Sequence, residues 1–178
     1  ESDRCLKKEK VVRMVIDGKK IAAEILEKLG RRPKPRRFLA AILVGNAPAS
    51  VSFVRQKERA ACRLGIEFRT YRFPEDISQD ELRHEVERVA SQDACGGVIV
   101  QLPLPERIRR AHVLDAIPRV KDVDVLSGAA TRAFEAGTSA IFPPAAGVVQ
   151  EILLATHYSL TPAKVAVVGM GFLVGRPI

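Results

Sequence analysis

A glutamine that follows an apolar segment is the first residue whose position suggests chemistry. Gln101 ends a run that begins at Gly96-Gly97 and stops at Pro103 and Pro105. Such a run is typical of a strand buried on both faces of a parallel sheet, and the prolines end its hydrogen-bonded pairing. Ligands of open α/β sheets gather outside the carboxyl ends of the strands. We therefore predict a ligand site at Gln101, although an isolated glutamine there more often bonds only to loop backbone.

A lysine on the preceding helix is the second candidate. Phe53 and Lys57 lie four residues apart in a segment, Pro48 to Leu64, that we predict to be helical, so they share one face. A solvated ammonium on a packed stem is the ordinary interpretation of such a lysine. A lysine that transfers protons needs burial near neutral polar groups, which lowers its pKa toward neutrality. Gln101 suits that role, because an amide bonds a lysine without adding charge.

Two further segments carry candidate binding groups. Lys121-Asp122-Val123-Asp124 has alternate carboxylates, which place one side chain toward a site and one away, although paired acids in a loop are most often turn or capping residues. Gly169-Met170-Gly171 and Gly175 follow a predicted strand, Lys164 to Gly169, and precede an apparent helix start. This context is typical of a dinucleotide-binding turn, although G-x-G-x-x-x-G departs from the usual G-x-G-x-x-G.

Strands and helices that alternate along the chain position these residues. The pattern predicts an α/β fold with a mostly parallel sheet, three-layer-like, in a first domain over residues 1–145. Thr131 to Ala146 is predicted to be a loop at the domain boundary, and residues 146–178 to begin a Rossmann-like nucleotide domain. The predicted strands are Val11–Ile16, Phe38–Val44, Ile66–Phe73, Gly96–Val100 and Lys164–Gly169. The predicted helices are Lys19–Leu29, Pro48–Leu64, one that starts at a Ser78–Glu81 capping box, Arg107–Ile117 and Val148–Thr156.

The composition narrows the class of protein. With 47% hydrophobic and 28% charged residues, it is that of a soluble globular protein, and no apolar run approaches the roughly 20 residues that span a bilayer. A net charge of +8 permits an anionic partner, but no aromatic residues interleave with the basic cluster at Arg31 to Arg37, so nucleic-acid binding is not favoured. Cys5, Cys62 and Cys95 lack metal-ligand spacing, so we expect no metal and a reducing, cytoplasmic location. Glu1 to Lys10 is charged, lacks a secretory apolar core and is predicted to be disordered.

Taken in order, these segments resemble the motifs of the bifunctional methylenetetrahydrofolate dehydrogenase/cyclohydrolase family. That family carries P-A-S-x-x-Y-V-x-x-K, V-Q-L-P-L-P, K-D-V-D-G, P-P/P-C-T and V-V-G-R-S-x-x-V-G-x-P. The counterparts here are Pro48 to Lys57, Val100 to Pro105, Lys121 to Asp124, Pro143-Pro144 and Val167 to Pro177. The match covers roughly residues 11–178, and Q-L-P-L-P after a glycine-rich strand is quite specific.

The resemblance implies a role for each matched residue. Lys57 would be the catalytic lysine that assists proton transfer when the methenyl ring opens, and Gln101 would tune and position it. Phe53 would stack on the pterin, and Asp124 would bind the pterin amino group. The remaining implied contacts are to substrate at Val100, Leu102 and Pro103, and to the phosphates of NADP at Gly169, Met170 and Gly171.

Several positions depart from the family pattern. Phe53 replaces a tyrosine and lacks its hydroxyl, while Val125 replaces a glycine. Met170 and Gly171 replace the arginine and serine of G-R-S. Because an arginine can hold the 2′-phosphate of NADP, its loss leaves NAD open beside NADP.

The resemblance also implies an activity. The implied activity is NAD(P)-dependent oxidation of 5,10-methylenetetrahydrofolate to the methenyl form, followed by hydrolysis to 10-formyltetrahydrofolate. The resemblance further implies a homodimer formed through the cofactor domain. A complete cofactor domain needs several strands beyond Ile178, so we expect no appreciable dehydrogenase activity from these 178 residues alone. A non-catalytic folate-binding or interaction remnant is the alternative, and Phe53 favours it.

Overall fold

A three-stranded parallel sheet forms the centre of the molecule in a computed structural model that describes residues 15–178. The strands β1 (Phe38–Val44), β2 (Phe68–Phe73) and β3 (Cys95–Val100) lie in the order β2-β1-β3. β1 pairs in parallel with both neighbours, and its Leu39 lies opposite Gly97 of β3. A helix follows each strand, so the chain has the predicted α/β fold.

The helices of the described residues are α1 (Gly18–Gly30), α2 (Pro48–Arg63), α3 (Gln79–Ala90), α4 (Arg110–Leu114), α5 (Gly128–Glu135) and α6 (Pro144–Ala155), with a 3-10 turn at Arg119–Lys121. Five of these six helices were predicted, with ends that differ by up to four residues, and α5 was not. The predicted capping box starts α3: the Ser78 hydroxyl accepts from the Glu81 N–H, and the Glu81 carboxylate accepts from the Ser78 N–H. None of the helices in residues 15–178 is long and apolar enough to cross a membrane.

Helices cover both faces of the sheet. On one face Ile42 of β1 and Val100 of β3 pack with α3 and α4, whose buried residues include Leu82 and Val113. On the other face Ala41 and Leu43 pack against Val54 of α2. Burial on both sides explains why β1 and β3 are apolar throughout rather than alternating. This packing fixes the carboxyl ends of β1 and β3, where the candidate residues lie.

Two secondary-structure predictions are wrong. The loop predicted over Thr131 to Ala146 contains the second half of α5 and the start of α6. The hydroxyl of Ser127 accepts from the N–H of Ala130 and so caps α5, a signal that the sequence analysis missed.

The strand predicted over Lys164 to Gly169 is also wrong, because these residues have no regular secondary structure. A strand needs a neighbour to satisfy its backbone hydrogen bonds, and no other strand of the described residues pairs with this segment. The side chain of Val168 is accordingly 99% exposed. Of the predicted strand Val11–Ile16 only the last two residues are described, and neither is in a strand; the rest, with Cys5 and the segment Glu1 to Lys10, lies outside the described residues.

Gly97 allows a loop to pack directly on β3. A Cβ built on Gly97 would lie 2.6 Å from Cγ1 of Val123 and 3.1 Å from Cδ1 of Leu39. Valine is stiff at χ1 and cannot easily move aside. We expect Gly97→Ala to lower the free energy of unfolding by about 1–3 kcal/mol, the usual range for overpacking.

Urea unfolding followed by circular dichroism measures this effect. Gly147→Ala is the matched control, because a Cβ on Gly147 in α6 would meet nothing within 4 Å. Alanine is the better helix former, so the control is expected to gain about 0.5–1 kcal/mol. Equal stabilities for Gly97→Ala and the unsubstituted chain would contradict this account of the loop.

Candidate active site

The Lys57 ammonium is the central group of the site. Its position in the third turn of α2 directs it toward the carboxyl edge of the sheet, where Nζ lies 3.5 Å from Oε1 of Gln101 and 3.6 Å from Oδ2 of Asp124. The structure therefore brings three predicted residues together from a helix, a strand end and a loop. The Lys57 side chain remains about one-third exposed, so a ligand can reach it.

Gln101 is held firmly at the end of β3. Its backbone N–H continues the sheet pairing by donating to Ile42 O at 2.9 Å, and its side chain is only 8% exposed. The side-chain amide donates from Nε2 to Leu102 O at 2.7 Å, which turns Oε1 toward Lys57. A neutral acceptor thus faces the ammonium, as the sequence predicts.

The loop that carries Asp124 is anchored by its two preceding polar residues. Lys121 Nζ donates to Ala90 O at 2.7 Å and to Gln92 O at 2.9 Å, and so satisfies carbonyls at the end of α3. Asp122 is 1% exposed and accepts from the N–H of Ser127 at 2.7 Å and from that of Leu126 at 3.0 Å. Sequence analysis identified the alternation of carboxylates but did not assign these anchoring roles.

Asp124 is thereby turned inward, away from Asp122 and toward Lys57. The next residue, Val125, has φ of 55°, a left-handed conformation that a β-branched residue rarely adopts. That requirement explains why glycine suits this position in the motif K-D-V-D-G. Burial raises the pKa of the Asp124 carboxyl above its ordinary value, and this effect outweighs the opposing influence of the Lys57 charge; the neighbouring Asp122 raises the pKa further.

A cavity of about 320 Å³ opens beside the lysine. Its walls are largely apolar, which is typical of a small-molecule site with a few convergent polar groups. Lys57 and Asp124 are two of the polar residues that line it. The other walls are Val125, Leu126, Thr131, Phe134, Glu135, Pro143, Pro144, Ala145, Phe172, Leu173, Arg176 and Pro177. Of these, the α5 residues and the residues after position 171 were not identified from the sequence as cavity residues.

The other predicted substrate contacts are less close to the cavity. Phe53 lies one helical turn before Lys57 and is 55% exposed, so it is accessible to a ligand, but it is not among the residues that line the cavity. Val100 is packed in the core with its side chain 2% exposed, which leaves only its backbone for a ligand. Leu102 and Pro103 line a neighbouring groove instead of the cavity.

The predicted cofactor contacts do not form a dinucleotide-binding turn in the described residues. Gly169, Met170 and Gly171 follow an irregular segment, and the residues after them form turns instead of a helix. The carbonyl of Gly171 accepts from the N–H groups of Val174 and Arg176, which closes the turn on itself. Without a helix N-terminus this arrangement does not fit a pyrophosphate.

These features define a class: a parallel α/β domain in which a lysine lies between an amide and a carboxylate beside an apolar cavity at the sheet's carboxyl edge. Comparison with known proteins identifies the family within this class. The sequence profile of the tetrahydrofolate dehydrogenase/cyclohydrolase catalytic domain matches residues 16–124. The chain therefore belongs to the tetrahydrofolate dehydrogenase/cyclohydrolase family, which confirms the resemblance predicted from its motifs.

Individual relatives agree with this assignment. Bifunctional protein FolD of Heliobacterium modesticaldum is 36% identical over 173 residues, with 92% of this chain and 59% of the relative covered. The crystal structure of the Campylobacter jejuni FolD dehydrogenase/cyclohydrolase superposes with a TM-score of 0.86 at 32% identity, covering 90% of this chain and 60% of that one. The Trypanosoma brucei FolD structure, a complex with NADP and an inhibitor, gives 0.83 at 30% identity, covering 92% and 59%. The chain thus spans about three-fifths of the length of these relatives.

Proposed function

We propose that this chain binds tetrahydrofolate derivatives in the cavity beside Lys57 and hydrolyses 5,10-methenyltetrahydrofolate to 10-formyltetrahydrofolate. The observation that carries the proposal is the position of the Lys57 ammonium in the lining of the cavity, 3.5 Å from Gln101 Oε1 and 3.6 Å from Asp124 Oδ2. The family to which the chain belongs supports the choice of substrate. The reaction needs no hydride acceptor, so the proposal does not depend on a bound dinucleotide.

The chemistry requires one proton carrier. Water bonds to the methenyl carbon, the bond from that carbon to N5 breaks, and its electron pair stays on N5. One proton of the water ends on N5 and the other is released, because the substrate is a cation and the product is neutral. Lys57 carries a proton between water and N5, Gln101 fixes its position, and ionised Asp124 accepts from the pterin amino group.

Oxidation of methylenetetrahydrofolate belongs to the proposal for the family's full-length activity. For that half-reaction the proposed cofactor is NADP, with NAD as the alternative, and the NADP complex of the Trypanosoma brucei relative supports NADP. Such a cofactor supplies hydride acceptance when it is bound. Gly169, Met170 and Gly171 remain predicted phosphate contacts, and they would need a strand before them and a helix after them to serve.

The remaining assignments are part of the same proposal. A homodimer, a cytoplasmic location and a place in one-carbon metabolism agree with family membership. A non-catalytic folate-binding remnant stays the alternative, and its supporting observation is Phe53 where the motif has tyrosine. Hydrolysis of methenyltetrahydrofolate separates the two functions: loss of methenyl absorbance above the buffer rate is expected, and a rate equal to that of buffer would favour the remnant.

Phe53→Tyr is expected to raise the rate of this hydrolysis. Phe53 lies one helical turn before Lys57 and is exposed, so a hydroxyl on its ring can bond the folate or a water next to the lysine. Because the ring is half-exposed, we expect a gain of about twofold to tenfold, the scale of one hydrogen bond. Phe68→Tyr on the edge strand, at the opposite end of the sheet, is the matched control. A slower enzyme after Phe53→Tyr would show that the hydroxyl has no place in this site.

A further inference from the structure

A short segment after the irregular chain forms one wall of the cavity beside Lys57. We call residues 169–177 the strap. Phe172, Leu173, Arg176 and Pro177 of the strap face the cavity. The strap is closed on itself: the N–H of Arg176 donates to the carbonyl of Gly171 at 3.0 Å. Gly175 packs so closely on the carbonyl of Gly169 that a Cβ at Gly175 has no room. The glycine spacing therefore serves a compact turn in this structure.

Two contacts attach the strap to the α/β domain, one to α4 and one to α5. The guanidinium of Arg110 at the start of α4 lies over the Phe172 ring, with Cζ 4.1 Å from its centre. Arg176 Nη2 lies 3.3 Å from Oε1 of Glu135 at the end of α5. A cation–π contact and an exposed ion pair are each weak, but they act at two positions, Phe172 and Arg176, of a nine-residue segment that has no sheet or helix to hold it.

We infer that Arg110 and Glu135 are positioning residues, which hold the strap as a wall of the folate cavity. This inference rests on the proposed function for its ligand. Neither side chain acts on the reacting atoms: Arg110 contacts the Phe172 ring and is not among the residues that line the cavity, and the Glu135 carboxylate is paired with Arg176. Loosening the strap opens the cavity to water and removes apolar surface from the bound ligand, so affinity falls while the chemistry at Lys57 is retained.

The absence of tryptophan from the sequence allows a direct test. Phe172→Trp places a single fluorophore on the strap. Iodide quenching reports whether the strap is packed, and titration with tetrahydrofolate gives the dissociation constant. In this background we compare Glu135→Gln, Arg176→Gln, Arg110→Gln and the double variant Arg110→Gln/Arg176→Gln. Glu67→Gln, which breaks an exposed ion pair with Arg69 on the edge strand, is the matched control.

Each single variant is expected to raise the dissociation constant by about twofold to fivefold, and the double variant by about tenfold, with faster quenching. The same substitutions are also made in the chain with native Phe172. For hydrolysis by these variants, KM rises while kcat stays within about twofold of its original value, because the reacting groups are unchanged. The charge-reversed pair Glu135→Arg/Arg176→Glu restores both readouts, a rescue that a general loss of stability would not give.

Three results overturn the inference. In the first, the double variant has the unsubstituted dissociation constant. In the second, quenching becomes faster while affinity is unchanged, so that the strap is attached but does not position the ligand. In the third, the Glu67→Gln control changes affinity as much as Glu135→Gln. If the chain with native contacts binds no tetrahydrofolate at all, the proposed function fails first and this inference fails with it.

Discussion

Replacement of Lys57 by alanine is expected to lower kcat for methenyltetrahydrofolate hydrolysis by about a hundredfold to ten-thousandfold, the range for loss of a general acid–base group. The ammonium is the one titratable group of the described residues within reach of both Gln101 and the cavity. Gln101 has no proton to exchange at neutral pH, and Asp124 is assigned to the pterin amino group. The measurement is the initial rate of methenyl absorbance loss with the buffer rate subtracted.

A second variant separates proton transfer from charge. Lys57→Arg keeps a cation beside Asp124, so the buried carboxylate stays paired and the fold is preserved. A guanidinium does not lose its proton in proteins, so the rate should still fall by about a hundredfold or more. Lys28→Ala, on the exposed face of α1, is the control for lysine removal. Full activity of Lys57→Arg would show that the site needs only a positive charge.

The positions of Gln101, Phe53 and Lys57 were predicted well from the sequence, because the local pattern of residues agrees with the tertiary structure there. β3 is apolar on both faces and ends where the prolines begin, so the position of Gln101 at the carboxyl edge follows from pattern alone. The i, i+4 spacing of Phe53 and Lys57 follows from the helix period. The contact between Lys57 and Asp124 could not be measured from the sequence, since nothing local fixes how far apart a helix and a loop lie.

The structure of other segments depends on tertiary contacts that a local sequence pattern does not predict. Lys164 to Gly169 has strand-forming residues, yet a strand exists only when another strand pairs with it. The sequence of the strap predicts a nucleotide-binding turn, because glycine suits both a phosphate site and a tight turn. Only the contacts of Phe172 and Arg176 in the structure distinguish the two. The short α5 was missed since its alanines have no strong period, and its cap at Ser127 was the available signal.

Asp124→Asn is expected to weaken tetrahydrofolate binding by about tenfold to hundredfold. In the proposed binding mode the ionised carboxylate forms charge-assisted hydrogen bonds with the pterin amino group, and the amide oxygen of asparagine would replace them with neutral ones. Because burial raises the pKa of Asp124, the carboxyl takes up a proton at a higher pH than an ordinary aspartate. Affinity for the unsubstituted chain should therefore fall as pH is lowered through this raised pKa, and the asparagine variant should lack that fall. Titration of both proteins over a pH series measures the difference.

The same shift gives the opposite effect on stability. The folded pKa of Asp124 lies above the ordinary value of 3.8, so between the two values the folded state binds more protons than the unfolded state. Stability contributed by this group is then lost as pH rises through that window, and at neutral pH the ionised, buried carboxylate is a net cost even with Lys57 beside it. Asp124→Asn should therefore raise the free energy of unfolding at pH 7. It should also abolish the decrease in that free energy between acid and neutral pH, as measured by urea unfolding.

Asp122→Asn is the matched control and should lower the free energy of unfolding. The Asp122 carboxylate accepts from two backbone N–H groups, and an amide is a weaker acceptor for them. If Asp124→Asn lowered the free energy of unfolding at neutral pH as much as Asp122→Asn, both carboxylates would stabilise the fold and neither would be reserved for a ligand.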